Sequence, residues 1–273
     1  MFYIIRQELI LGRKRKRQRQ LDTAVATIHR HYGPWSLIKG KLASATGVPH
    51  IPTGIASLDR ALGTGGLPKG KVCEVVGPTT SGKTTLALKF LAQAQAGSGQ
   101  VAYVDQALYF DPDYAHRCGL DLSRLLVGTP HDLKEALAIT EALVRSDSFA
   151  AIVFDALDFL WTDPEAASLL AATLNRIPGA LSRSNTTLLI LHEMATDSPQ
   201  IGGSPTGGSP AKSALAHTAA VRLQVVRESW VKRHGDIRGY KARVEVLKNR
   251  LGPAGRTVNL TIDVNGTVRG NGL

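Results

Sequence analysis

Lys71-Val-Cys-Glu-Val-Val76, Gly77-Pro-Thr-Thr-Ser-Gly-Lys-Thr84 and Thr85-Leu-Ala-Leu-Lys-Phe-Leu-Ala-Gln-Ala-Gln-Ala96 run without interruption. The first piece is a short apolar run of the buried-strand kind. The last reads as a helix to Ala96, with Gly97 as its stop. The piece between fits G-x-x-x-x-G-K-[ST] in the strand–loop–helix context that gives the pattern its meaning. Its glycines let backbone approach a phosphate chain, and its N–H groups and the helix N-terminus face that anion. Lys83 then reaches the β- and γ-phosphates, and the Thr84 hydroxyl a magnesium ion. Gly77, Pro78, Thr79, Thr80, Ser81, Gly82, Lys83, Thr84 and Thr85 are therefore the candidate nucleotide site.

Working outward, apolar strands and helices alternate. Gln100–Asp105, Leu125–Val127, Ala150–Asp155 and Thr186–Glu193 read as strands, and Asp132–Arg145 as a helix with Leu133, Leu137, Thr140 and Val144 on one stripe. Thr162-Asp-Pro-Glu165 has the form of a capping box that opens a helix to about Arg176. Helices between apolar strands mean crossovers and a parallel sheet. Beyond residue 218 strands dominate: Ala219–Val226, Ala242–Arg250 and Thr257–Asp263, with a hairpin turn at His234-Gly235-Asp236. The expected fold is α/β, a mostly parallel sheet flanked by helices with an antiparallel C-terminal edge.

Asp155 ends an apolar strand, where a carboxylate completes the magnesium shell of such a loop. Parallel strands bring their C-terminal ends to one rim, so His192, Glu193 and Asp105 are further candidates there to orient an attacking water. In residues 195–213, Gly, Pro and Ser supply 11 of 19 positions, the composition of a functional mobile loop.

The chain has 273 residues and a net charge of +11, with 43% hydrophobic side chains. Bulk disorder is excluded at this apolar fraction. Cys73 and Cys118 are too few for a disulfide scaffold or a cysteine-based zinc site, and read as reduced thiols. No apolar run reaches the ~18 residues of a spanning helix, so no membrane partner is expected. Residues 1–19 hold seven basic and one acidic side chain, six of the basic ones within Arg13–Arg19, so this stretch carries +6 of the total. It reads as a flexible basic arm able to touch nucleic-acid phosphate. Residues 20–32 read as an amphipathic helix ended by Gly33-Pro34, and 20–50 as that helix and a linker. The core is expected over 51–273.

The stretch Ile51-Pro-Thr-Gly-Ile-Ala-Ser-Leu-Asp-Arg-Ala-Leu-Gly-Thr-Gly-Gly-Leu-Pro-Lys-Gly70, with the loop at 77–85, resembles bacterial RecA recombinases. So do Asp111-Pro-Asp-Tyr-Ala115 with Gly119-Leu-Asp121, the segment Ala136–Ser146, Asn185–Leu191, Val221-Arg-Leu223 and Lys248-Asn-Arg250. The resemblance implies a RecA-like ATPase core using ATP and Mg2+. It implies a cytoplasmic, nucleoid-associated bacterial protein of homologous recombination, DNA repair and the SOS response. It implies filaments on single-stranded DNA, paired with duplex DNA during exchange, with ATP between subunits and other repair proteins as possible partners. Residues 20–32 resemble the family's oligomerisation helix. Asp111 and Tyr114 match its adenine contacts, and Lys248 and Arg250 the cations that reach a neighbour's γ-phosphate. Gly202, Gly203, Gly207, Gly208 and Lys212 lie in its second DNA-binding loop.

The departures bear on catalysis. The family's catalytic glutamate position is Ala107 here, its nucleotide-sensing glutamine falls on Glu193, and its signalling aromatic on His217. The first DNA loop, after Asp155, is short, and the second holds no aromatic. The family's C-terminal domain and acidic tail have no counterpart in these 273 residues. Lys83, Asp155 and Glu193 are the catalytic candidates. Two functions follow: a DNA-dependent ATPase of recombination, or an ATP-binding, hydrolysis-deficient accessory protein that acts through a recombinase filament or translesion polymerase.

Overall fold

The computed structural model describes residues 2–33, 36–37, 47–156, 163–193, 210–233 and 235–270, with backbone alone for 2–12 and 210–213. Two compact units divide at Thr46/Gly47. The first holds one helix, α1 (Phe2–Tyr32). Predicted over 20–32, it also carries the basic run 13–19, read above as a flexible arm. Arg, Lys and Gln lose little rotamer freedom in a helix, which permits this continuation.

The second unit, 47–273, is built on a nine-stranded sheet. A small antiparallel pair, β1 (His50–Ile51) and β2 (Leu67–Pro68), stands apart, with α2 (Ala56–Leu62) between them in sequence. There follow β3 (Val72–Val76), α3 (Lys83–Ala96), β4 (Gln100–Asp105), α4 (Pro112–Arg117), β5 (Leu125–Gly128), α5 (Leu133–Arg145), β6 (Phe149–Asp155), α6 (Pro164–Ser184), β7 (Thr187–His192) and α7 (Pro210–Thr218). The chain ends with β8 (Val221–Arg233), β9 (Asp236–Asn249), β10 (Thr257–Asp263) and β11 (Val268–Gly270). The spatial order is β11-β10-β9-β8-β3-β7-β6-β4-β5. From β8 to β5 neighbours are parallel, and from β8 to β11 antiparallel.

Alternation along β3 explains the two cores. Cys73 and Val75 join Leu88, Phe90 and Leu91 of α3 and Leu58 and Leu62 of α2 on one face. Val72 joins Leu137 of α5, Leu170, Leu174 and Ile177 of α6, and Leu215 of α7 on the other. Both sheet faces are thus covered, as parallel strands require. Cys73 and Cys118 are free, buried thiols, and burial pushes the Cys73 thiol far above its usual range.

Four boundaries differ from the sequence expectation. α6 passes Arg176 and Pro178 to Ser184, because Ile177 and Leu181 are buried against the sheet and outweigh the bond the proline omits. Its cap is Asp163, whose carboxylate accepts from the Glu165 amide; Thr162 lies outside the described residues. β8 and β9 run to the Gly235 turn, well beyond the 219–226 and 242–250 expected. α7 occupies the end of the segment read as a loop to 213, so Lys212 sits on helical backbone. Gly202, Gly203, Gly207 and Gly208 lie outside the described residues. Among the described residues no helix is long and apolar enough to cross a membrane.

Candidate nucleotide site

The C-terminal ends of β3, β7, β6 and β4 share one rim by register, and β8 crosses that rim at Gln224. Val76 pairs with His192 on one side and Gln224 on the other, while Asp155 pairs with Leu191 and Asp105. The loop 77–82 therefore leaves the sheet centre, with Glu193 and then Asp155 beside it.

The loop is fitted closely to β8. A Cβ on Gly77 would lie 2.0 Å from the Val225 carbonyl oxygen, so only glycine passes there. Gly82 (φ 107°) turns the chain into α3 and supplies no side-chain cap. The first N–H groups of a 14-residue helix are thus left for an external acceptor. The Ser81 hydroxyl is buried with no hydrogen-bond partner among the described residues. Lys83 Nζ folds back to donate to the carbonyls of Gly77 (2.7 Å) and Pro78 (2.8 Å). An uncapped helix start, an orphaned hydroxyl and a lysine laid across the loop together fit a phosphate chain.

Carboxylates crowd the same rim. Glu193 Oε1 lies 3.9 Å from Lys83 Nζ and accepts a hydrogen bond from the Thr79 hydroxyl. Asp155 Oδ2 accepts from the buried Tyr103 hydroxyl. Burial pushes the Asp155 carboxyl up to about 6, helped by Asp105, while the Tyr103 hydrogen bond works in the opposite sense. Asp105 is occupied otherwise: its oxygens accept from the Tyr109 (3.2 Å) and Phe110 (2.8 Å) amides and hold the turn that carries Ala107. It is a loop cap rather than a water-orienting carboxylate. Ala107 brings no carboxylate to this turn.

His192 points away from the rim, toward the α5–α7 face. Its Nε2 is 2.5 Å from Glu74 Oε1 and its Nδ1 2.9 Å from the Glu193 carbonyl oxygen. Glu74 also faces Arg222 Nε at 2.7 Å. The buried Glu74, beside Arg222 in register, draws that side chain inward. Nothing in the periodicity distinguishes Glu74 from the apolar strand around it.

Asp111 caps α4 through the Tyr114 amide (3.0 Å). The Tyr114 hydroxyl meets the Thr85 hydroxyl at 2.7 Å beside the start of α3, and burial pushes it up to about 12. Asp111, Tyr114 and the loop thus lie together. Lys248 and Arg250 do not join them. The Arg250 amide donates to Ala220, whose own amide donates to Val72, so Arg250 stands level with the start of β3, the end remote from the loop. Lys248 Nζ and Arg250 Nη2 donate to the last carbonyls of α7, at Ala216 and His217. Desolvation, then the Arg250 and Arg222 charges, lower the Lys248 pKa.

A Rossmann-like layering with a phosphate-cradling loop at the sheet centre defines a P-loop nucleotide-binding fold. The family model for the RecA N-terminal domain matches residues 19–268. Protein RecA of Chloroherpeton thalassium is 36% identical over 264 residues, covering 91% of this chain and 73% of that protein. Protein RecA of Brucella anthropi is 37% identical over 258 residues, covering 89% and 70%. The chain belongs to the RecA family. A crystal structure of the RadB recombinase shares the fold, with a TM-score of 0.62 at 22% identity, over 80% of this chain and 98% of that one.

Proposed function

We propose that the chain binds Mg2+–ATP at residues 77–85 and assembles as filaments on single-stranded DNA, with nucleotide between subunits, in homologous recombination and repair. The observation that carries this is the separation of the two cation sets. Lys83 belongs to the loop at one end of β3, while Arg250 stands level with the other end. Arg250 therefore serves a phosphate held by a second copy of the chain, which makes nucleotide occupancy and assembly interdependent.

In this reading Thr84 and Asp155 hold the magnesium ion, which when bound neutralises charge on the phosphate oxygens. Lys83 exchanges the Gly77 and Pro78 carbonyls for phosphate. Asp111 and Tyr114 line the base. Glu193, already at Thr79 and Lys83, orients water in place of the absent glutamate at Ala107. Lys248 and Arg250 leave the α7 carbonyls to reach across. Their release frees the helix that follows residues 195–209, the segment read as contacting DNA with Lys212.

A second reading, an ATP-binding accessory protein without turnover acting through a partner, is favoured by Ala107 and by the engagement of Asp105 with backbone amides. ATP hydrolysis with and without single-stranded DNA, alongside filament imaging, separates the two. DNA-stimulated turnover with filaments supports the first. Nucleotide binding without turnover or filaments supports the second.

A further inference from the structure

β8 does not stop where the sheet pairs it with β3. It continues past the phosphate loop, and Arg227, two residues beyond the Val225 that Gly77 abuts, turns its guanidinium onto that loop. Nη1 donates to the Thr80 hydroxyl at 2.7 Å. Thr80 has a left-handed backbone (φ 59°), an uncommon state for a β-branched residue and one that clusters at functional sites.

The position of the guanidinium is built. In a regular strand, residues 227 and 230 face opposite sides. The β8–β9 register shifts between Arg227 and Ser229, so Glu228 is an extra residue. That bulge brings Arg227 and Trp230 to one face. The Arg227 guanidinium carbon then lies 4.2 Å from the Trp230 ring centroid. Trp230 is braced edge-on by its cross-strand partner Tyr240, at 6.0 Å between centroids. The Tyr240 hydroxyl in turn stands 3.1 Å from where a Cβ on Gly82 would be. Bulge, indole and phenol together aim one cation at the loop.

Among the described residues no carboxylate lies within ion-pair distance of Arg227, and its hydrogen bond to Thr80 takes one of five donors. Arg238 and Arg243 on β9 and Arg269 on β11 all have carboxylate partners. A stacked guanidinium without a carboxylate partner, beside a phosphate cradle, is arranged for an anion.

We propose that Arg227 is a phosphate-binding residue supplied by the same chain that holds the loop. It exchanges the Thr80 hydroxyl for an oxygen of the nucleotide's phosphate chain and shifts on Trp230 as it does so. The proposal rests on the reading of residues 77–85 as the nucleotide site. It adds a cation that is in place before any second copy arrives, and it couples nucleotide occupancy to the β8–β9 hairpin.

The test titrates a non-hydrolysable ATP analogue with Mg2+ into the full chain carrying Trp35→Phe and Trp161→Phe, so that emission comes from Trp230. Arg227→Gln and Arg227→Lys are made in that background. Loss of one charge-assisted hydrogen bond weakens binding about tenfold in Arg227→Gln, and less in Arg227→Lys. Saturation changes Trp230 emission in the parent and not in Arg227→Gln. Equal affinity of parent and Arg227→Gln overturns the proposal, as does Trp230 emission that ignores saturation. Failure of the parent itself to bind overturns the site reading and the proposal with it.

Discussion

The Tyr103 hydroxyl donates to Asp155 Oδ2 across the β4–β6 pair, two strands from the phosphate loop. Tyr103 is 1% exposed, so its hydroxyl has no water to fall back on, and the carboxylate is its acceptor. The bond favours ionised Asp155, while burial favours the neutral acid and prevails, leaving the group at about 6.

That balance makes Asp155 a stability cost at neutral pH. Its folded pKa lies above the unfolded value of 3.8, so the folded chain holds the proton more tightly. Stability from this group is full below about 4 and is lost as pH rises through about 6. Asp155→Asn removes the charge and keeps an oxygen for Tyr103. Thermal melts are expected to show the variant more stable at pH 7.5, by of order 1–3 kcal/mol, with the advantage shrinking toward pH 4.5. Mg2+-dependent ATP turnover is lost in the same variant.

Glu193 is the carboxylate nearest Lys83 in the described structure, at 3.9 Å. If it orients the attacking water, Glu193→Gln lowers ATP turnover on single-stranded DNA by roughly 10²–10⁴, with ATP affinity nearly kept. Unchanged turnover removes Glu193 from the mechanism.

Gly77→Ala sets a methyl group against the Val225 carbonyl. The loop must then part from β8, and a destabilisation of about 1–3 kcal/mol is expected in urea melts, with loss of ATP binding. Gly97→Ala is the control: its Cβ would meet nothing nearer than 3.5 Å, and it is expected to behave as the parent.

Lys248→Ala with Arg250→Ala removes donors to the α7 carbonyls. The core sheet does not depend on them, so the double variant is expected to fold and to bind ATP as a single chain. ATP-dependent assembly, followed by light scattering, is expected to disappear. Assembly at the parent's level overturns the role given to this pair.

The basic run on α1 is tested by salt. Arg13, Lys14, Arg15, Lys16, Arg17 and Arg19 are all exposed. If they meet phosphates, replacing all six by Gln flattens the slope of log K against log salt by up to about 4 on single-stranded DNA. An unchanged slope excludes the contact.

Much of the fold was legible because its signals are local. The apolar strands, the stripe of α5 and the loop 77–84 each declare themselves within a dozen residues, and the strand-to-helix alternation dictates the parallel sheet. What failed to show was set by distant partners. Pro178 reads as a helix end, yet Ile177 and Leu181 bury against the sheet and carry α6 through it. Asp105 and Asp155 look alike at their strand ends; only the neighbouring amides of Tyr109 and Phe110 tell a loop cap from a candidate metal ligand. Glu74 and Arg222 lie 148 positions apart, and their ion pair follows from β3 and β8 being neighbours. The bulge at Glu228, which turns Arg227 toward the loop, leaves no trace in composition.

One strand, β8, touches the phosphate loop at Val225 and, four residues earlier, pairs with the Asn249 that separates Lys248 from Arg250. At ~3.3 Å per residue this is about 13 Å of continuous, hydrogen-bonded backbone. β8 therefore works as a ruler. The spacing between the phosphate loop and the Lys248/Arg250 pair, proposed above to serve a second copy, is graduated in peptide units. Loop lengths can drift among relatives without changing that spacing, whereas a single inserted residue between Val221 and Val225 would alter it.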